Sequence, residues 1–127
     1  MSGGTELKKV RGLGSAKHGV NHWWDQRLTA AGNMILAVWF VASVARLPGY
    51  TPDILSAWLS SAWAAVPLIL LVLSVLWHVR LGLQVVIEDY QHGESRYVLM
   101  LLLNLYVVAL GGIALFAILK LAFAGHA

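Results

Sequence analysis

Three runs without a charged residue, Leu28–Ala45, Ile54–Trp77 and Tyr97–Leu119, decide what this chain can fold into. The first is 18 residues long, about the length at which a helix begins to cross the hydrocarbon of a bilayer. The chain has 127 residues, of which 59% are hydrophobic and 12% charged. A water-soluble domain of that size buries too small a fraction of its surface to hide so much apolar area. The expected class is therefore an all-α membrane protein with three transmembrane helices, spanning about 27–46, 64–88 and 97–120. Six tryptophans and four tyrosines suit the aromatic belts at a bilayer surface.

The segments between the runs complete the outline. Residues 1–18 read as a polar, Gly-rich tail with Lys8, Lys9, Arg11 and Lys17, followed by a three-helix unit over 19–127. No apolar stretch with a small-residue cleavage site follows the start directly, so a cleaved signal peptide is not expected. Gly19–Arg27 is a polar and aromatic collar, with Trp23 and Trp24 suited to the headgroup level. Arg46–Pro52 makes the first turn. Ile54–Trp63 suits a short interfacial helix, and Pro67 suits either the first turn of the second span or a kink in it. That span should run to about Ile87, with Asp89–Arg96 as the second turn.

Charge orients the chain. The tail and the second turn hold six cations, Lys8, Lys9, Arg11, Lys17, Arg27 and Arg96, against Arg46 and Lys120 on the other side. The positive-inside rule then puts the N-terminus in the cytoplasm and the C-terminus in the periplasm of a bacterial inner membrane. The formal net charge of +3 is too small to argue for a nucleic-acid partner. With no cysteine, disulfides, thiolate metal sites and cysteine nucleophiles are excluded.

The chemistry concentrates in the second span. His78, Gly82, Val85 and Asp89 fall on one helical face, and Asp89 lies about 16 Å beyond His78 along the axis. With Asp89 at the surface, His78 sits near mid-membrane, where an ionisable group points to function. Gly82, one turn on, has no side chain and leaves room for something bulky against the backbone. Two readings of His78 stay open: a haem iron ligand, or a hydrogen bond between helices. His18, His22, His92 and His126 all lie at or beyond the membrane edges. A haem with two histidine ligands at the depth of His78 would need its second ligand from another chain.

The pattern His78-x-x-x-Gly82 followed by Asp89-Tyr90 resembles the hallmark of the smaller hydrophobic anchor of succinate dehydrogenase (succinate:quinone oxidoreductase, respiratory complex II). The upstream G-V-N-H-W-W-D-Q-R-L-T-A is similar to that family's entry into its first helix, and the likeness covers about residues 12–120. The resemblance implies a larger helical bundle with a second hydrophobic cytochrome b anchor subunit, an iron-sulfur subunit and a flavoprotein subunit. It implies haem b shared with the second anchor, with His78 as axial ligand, Gly82 giving clearance, and Arg27 near the haem propionates. It also implies that Tyr90 hydrogen-bonds a ubiquinone carbonyl, with Asp89 beside it. For Arg27 the residues alone favour an anchor at the membrane surface. Arg80 is expected to face a partner or stretch to the cytoplasmic edge, with a propionate contact as the minor option. Asn104 suits a helix–helix hydrogen bond, and Gly111–Gly112 close helix packing.

The expected function is a non-catalytic anchor of succinate:ubiquinone oxidoreductase, active in the tricarboxylic acid cycle and the respiratory chain. No nucleotide-binding motif or soluble domain is present for the flavin chemistry. The alternatives are a haem-free, quinone-binding anchor of fumarate reductase type, or a small structural or assembly membrane protein.

Overall fold

The computed structural model describes residues 16–124, with the side chains of Ala16, Lys17 and His18 excepted. Most of the expected N-terminal tail, including Lys8, Lys9 and Arg11, lies outside the described residues, as does His126. Four helices follow one another: α1 over Ala16–Ala45, α2 over Pro52–Leu59, α3 over Ala62–Tyr90 and α4 over Glu94–Ala124. The fold is all-α, and α1, α3 and α4 are each long and apolar enough to cross a membrane.

The helices run past the uncharged segments at almost every end. The polar collar Gly19–Arg27 belongs to α1, because His, Trp, Asp and Gln tolerate helical geometry and their heads reach water. Absence of charge marks the hydrocarbon, whereas a helix continues until its backbone is stopped. At 29 residues, α3 is about 43 Å long, enough for the hydrocarbon and both headgroup layers.

Two boundaries correct the expectation. Asp89 and Tyr90 lie in the last turn of α3 rather than in a loop, and the second turn shrinks to Gln91–Gly93. Gln91 closes α3 by donating its N–H to the Ile87 carbonyl at 2.9 Å. Gly93, at φ +74°, takes the left-handed conformation that reverses the chain cheaply only without a Cβ. Pro67 stands inside α3, beyond its first turn. The short helix α2 starts as its sequence suggests, with Thr51 before it, Pro52 in its first turn and Asp53 near its positive end.

Packing places α3 in the middle. It meets α1 on one side and α4 on the other, and α1 and α4 do not meet. Leu81 on α3, and Leu103 and Ile118 on α4, are buried. Gly111 is buried against α3, where a Cβ would sit 3.4 Å from Leu76 Cδ1, an ordinary contact. The short helix α2 seals one end: Ser56 Oγ donates to the Leu121 carbonyl at 2.8 Å, and Trp58 stacks on Trp39 at 6.2 Å between ring centroids. The remaining apolar surface is open. Ile35, Val38 and Val41 on α1, and Ile113 and Phe116 on α4, are each about two-thirds exposed or more. A chain with this surface is folded for lipid and for neighbours, not for water.

Candidate functional site

The structure builds polar groups into both seams of α3, and they are different. On α1, His22, Gln26, Thr29 and Asn33 recur every three or four residues, which lines them along one face. All four are half-buried. Across that seam, His78 Nδ1 lies 2.9 Å from Thr29 Oγ1. The same hydroxyl lies 2.7 Å from the Asp25 carbonyl and 3.1 Å from that of Gln26. A Cβ on Gly82 would sit 3.7 Å from Gln26 Nε2, an ordinary contact, so the amide of α1 already lies over that glycine. Any steric need for glycine at 82 would come from outside this chain. His22 Nε2 and Asn33 Oδ1 are buried without a hydrogen-bond partner.

The other seam holds Arg80. Its Nε donates to Asn104 Oδ1 at 2.8 Å and its Nη1 to Gln84 Oε1 at 3.2 Å, and the guanidinium lies 5.1 Å from the Trp77 ring centre. Gln84 Nε2 donates onward to Glu88 Oε1 at 2.9 Å, and Glu88 pairs with Arg96 at 3.3 Å. A mid-helix cation is thus tied through an amide to an acid near the surface. Arg80 faces α4 of its own chain, about 200° around α3 from His78, rather than stretching to the membrane edge. Asn104 makes the interhelical bond expected of it. Beside this cluster an apolar groove of about 630 Å³ runs between α3 and α4, bounded by Leu73, Trp77, Arg80, Asn104 and Gly112.

The remaining candidates lie at the membrane edge. Asp89 and Tyr90 are exposed on the last turn of α3, Tyr90 at 78%. Arg27 is exposed as well, its guanidinium 4.8 Å from the Trp23 ring centre. Two residues from Thr29 on a helix is about 200° of rotation, so Arg27 points away from the α1–α3 seam. The structure brings His78 to Thr29 and Gly82 to Gln26. It does not bring Arg27, Asp89 or Tyr90 to His78. Sequence reasoning missed Gln26, Thr29 and Asn33 as members of a site, although the period of the polar residues in α1 contains them. Among the described residues no three His, Asp or Glu side chains gather as a metal cluster.

The fold and the site define a class: a three-span membrane protein with a polar seam at mid-helix and polar groups at one membrane edge. A sequence profile described as "Succinate dehydrogenase/Fumarate reductase transmembrane subunit" matches residues 1–119. The chain is similar to the "Succinate dehydrogenase hydrophobic membrane anchor subunit" of Rickettsia bellii (strain RML369-C), 32% identical over 104 residues, 81% of this chain and 83% of the relative. It is similar to the protein of the same description from Paracoccus denitrificans, 32% identical over 92 residues, 72% of this chain and 71% of the relative. The "Succinate dehydrogenase membrane anchor subunit" of Reclinomonas americana is 32% identical over 90 residues, 68% of this chain and 75% of the relative. No solved structure matches. The chain belongs to the family of succinate dehydrogenase membrane anchor subunits.

Proposed function

We propose that this anchor holds haem b together with a second hydrophobic anchor chain and forms part of a ubiquinone reduction site. The observation that carries the reading is the placement of His78. Its imidazole is half-buried in the middle of a spanning helix, and the structure gives a hydrogen-bond contact for one ring nitrogen only. His78 would hold the iron from this chain, and the second anchor chain would supply the other ligand. The residues present fit the group. The cofactor would supply a one-electron store beside the quinone site.

The chain's own part follows from where its residues sit. His78 would ligate from α3, and Arg27, at the surface end of the first span, is positioned for carboxylates arriving from outside this chain. Tyr90 would donate its phenolic hydrogen to a quinone carbonyl, and exposed Asp89 would pass protons from water. A quinone becomes a quinol by taking up two electrons and two protons, so its headgroup must lie where protons are available. The last turn of α3 is such a place. In this reading the iron-sulfur and flavoprotein subunits dock on the cytoplasmic side with the N-terminus, in a bacterial inner membrane. The complex then feeds electrons from succinate, within the tricarboxylic acid cycle, to the respiratory quinone pool.

The test is purification of the complex in mild detergent. Iron-sulfur and flavin subunits should co-purify, with a six-coordinate b-type spectrum that His78→Ala abolishes while the subunits stay assembled. A wild-type complex without haem would leave a haem-free quinone anchor of fumarate reductase type.

A further inference from the structure

The contact between Thr29 and His78 has a direction, and the direction follows from counting hydrogens. A threonine hydroxyl has one hydrogen to donate and lone pairs with which to accept. Thr29 Oγ1 lies 2.7 Å from the Asp25 carbonyl oxygen and 2.9 Å from His78 Nδ1. Two oxygens at the first separation need a hydrogen between them, and a carbonyl has none to give. The hydroxyl hydrogen therefore belongs to the α1 backbone, in the common bond from threonine to the carbonyl one turn back. The second contact also needs a hydrogen, and only the imidazole can supply it. His78 thus donates from Nδ1, and in the neutral ring the lone pair is on Nε2.

We infer that Thr29 is a positioning residue that holds His78 in its Nδ1–H tautomer and leaves Nε2 as the ligating nitrogen. This rests on the haem-ligand reading above. The backbone of α1 fixes the hydroxyl, the hydroxyl fixes the ring, and the ring orientation is set before any metal arrives. An acceptor on the far N–H also makes the ligating nitrogen more basic, as partners of metal-bound histidines commonly do. A more basic ligand favours the higher oxidation state of the iron, so Thr29 would lower the reduction potential of the haem. Valine has the shape of threonine without the oxygen, and serine has the oxygen without the methyl group. The pair separates hydrogen bonding from packing.

The experiment is a redox titration and low-temperature EPR of the purified complex carrying Thr29→Val or Thr29→Ser. Thr29→Val should raise the haem midpoint potential and move the low-spin g values, while Thr29→Ser stays at the wild-type values. Thr29→Ala serves as a second variant without the hydroxyl should Thr29→Val fail to assemble. A Thr29→Val complex with wild-type potential and g values overturns the inference and leaves the haem reading standing. A shift in Thr29→Ser as large as in Thr29→Val also overturns it, because packing would then be the cause. A wild-type complex with no low-spin haem overturns both together.

Discussion

At the scale of single residues, His78 and Tyr90 ask for opposite surroundings. An imidazole that is to bind metal while neutral gains from a dry seam, whereas a phenol that serves a quinone needs contact with water. The structure separates them by twelve positions on α3, one half-buried and the other exposed. Replacing Tyr90 with Phe removes the hydroxyl and little else. We expect the rate of quinone reduction by succinate to fall about ten-fold or more, as when a hydrogen bond to a group gaining charge is lost. The haem spectrum and the rate of succinate oxidation with an artificial acceptor should stay unchanged. Measuring the two rates side by side checks this, and a Tyr90→Phe complex with full quinone activity would remove Tyr90 from the site. The shared helical face of His78, Gly82 and Asp89 was legible in the sequence, because a helix converts spacing into depth and face, whereas the extension of α3 through Asp89 and Tyr90 was not. Nor was Thr29. A threonine in a spanning segment is common, and nothing in one helix's own period says which residue of another helix it will meet.

At the scale of elements, α3 is held to α4 by a polar bond where most membrane seams rely on packing. Arg80 places a cation deep in the span, which is costly unless its hydrogen bonds are satisfied. Asn104 on α4 accepts one of them, and the Gln84–Glu88–Arg96 chain leads from the cation to the surface. Asn104→Leu should therefore lower the stability of the purified complex, by about 1–2 kcal/mol on the scale of interhelical hydrogen bonds in membranes. The double variant Arg80→Leu/Asn104→Leu should lose less than the two single losses added, because each single change strands a partner. Thermal melts in detergent of the wild type and the three variants would read this coupling, and strict additivity would contradict it. The presence of a bond for Asn104 was foreseeable from a lone amide among leucines and valines. Its partner was not, since Arg80 could equally have stretched to the surface. The ends of the helices were blurred for a similar reason: the collar before Leu28 is polar enough for water and helical enough to continue α1.

At the scale of the whole molecule, α3 shows which side awaits a neighbour. One flank of α3 is closed by α1 and the other by α4, leaving two stripes open: Val66, Leu70, Leu73 and Trp77, and, over the half of the helix that bears His78, Val75, Val79, Leu83, Val86 and Tyr90. The positions of the second stripe recur every three or four residues and therefore share a face. That face adjoins the one bearing His78 and Gly82, so a second anchor chain covering it could reach both stations. The outer side of α4, with Ile113 and Phe116 each 67% exposed, carries the phenol of Tyr106 but no charged residue at the depth of His78, and suits lipid. The chain contains no cysteine, so a single introduced thiol is its one labelling site for a nitroxide. A nitroxide on Val86→Cys should lose its access to membrane-dissolved oxygen when the complex assembles, while one on Ile113→Cys keeps it. EPR power saturation of both labels, with and without co-expression of the second anchor, makes the comparison. If Ile113→Cys became shielded and Val86→Cys stayed open, the partner would dock on α4. A haem shared through His78 would then have no second chain within reach.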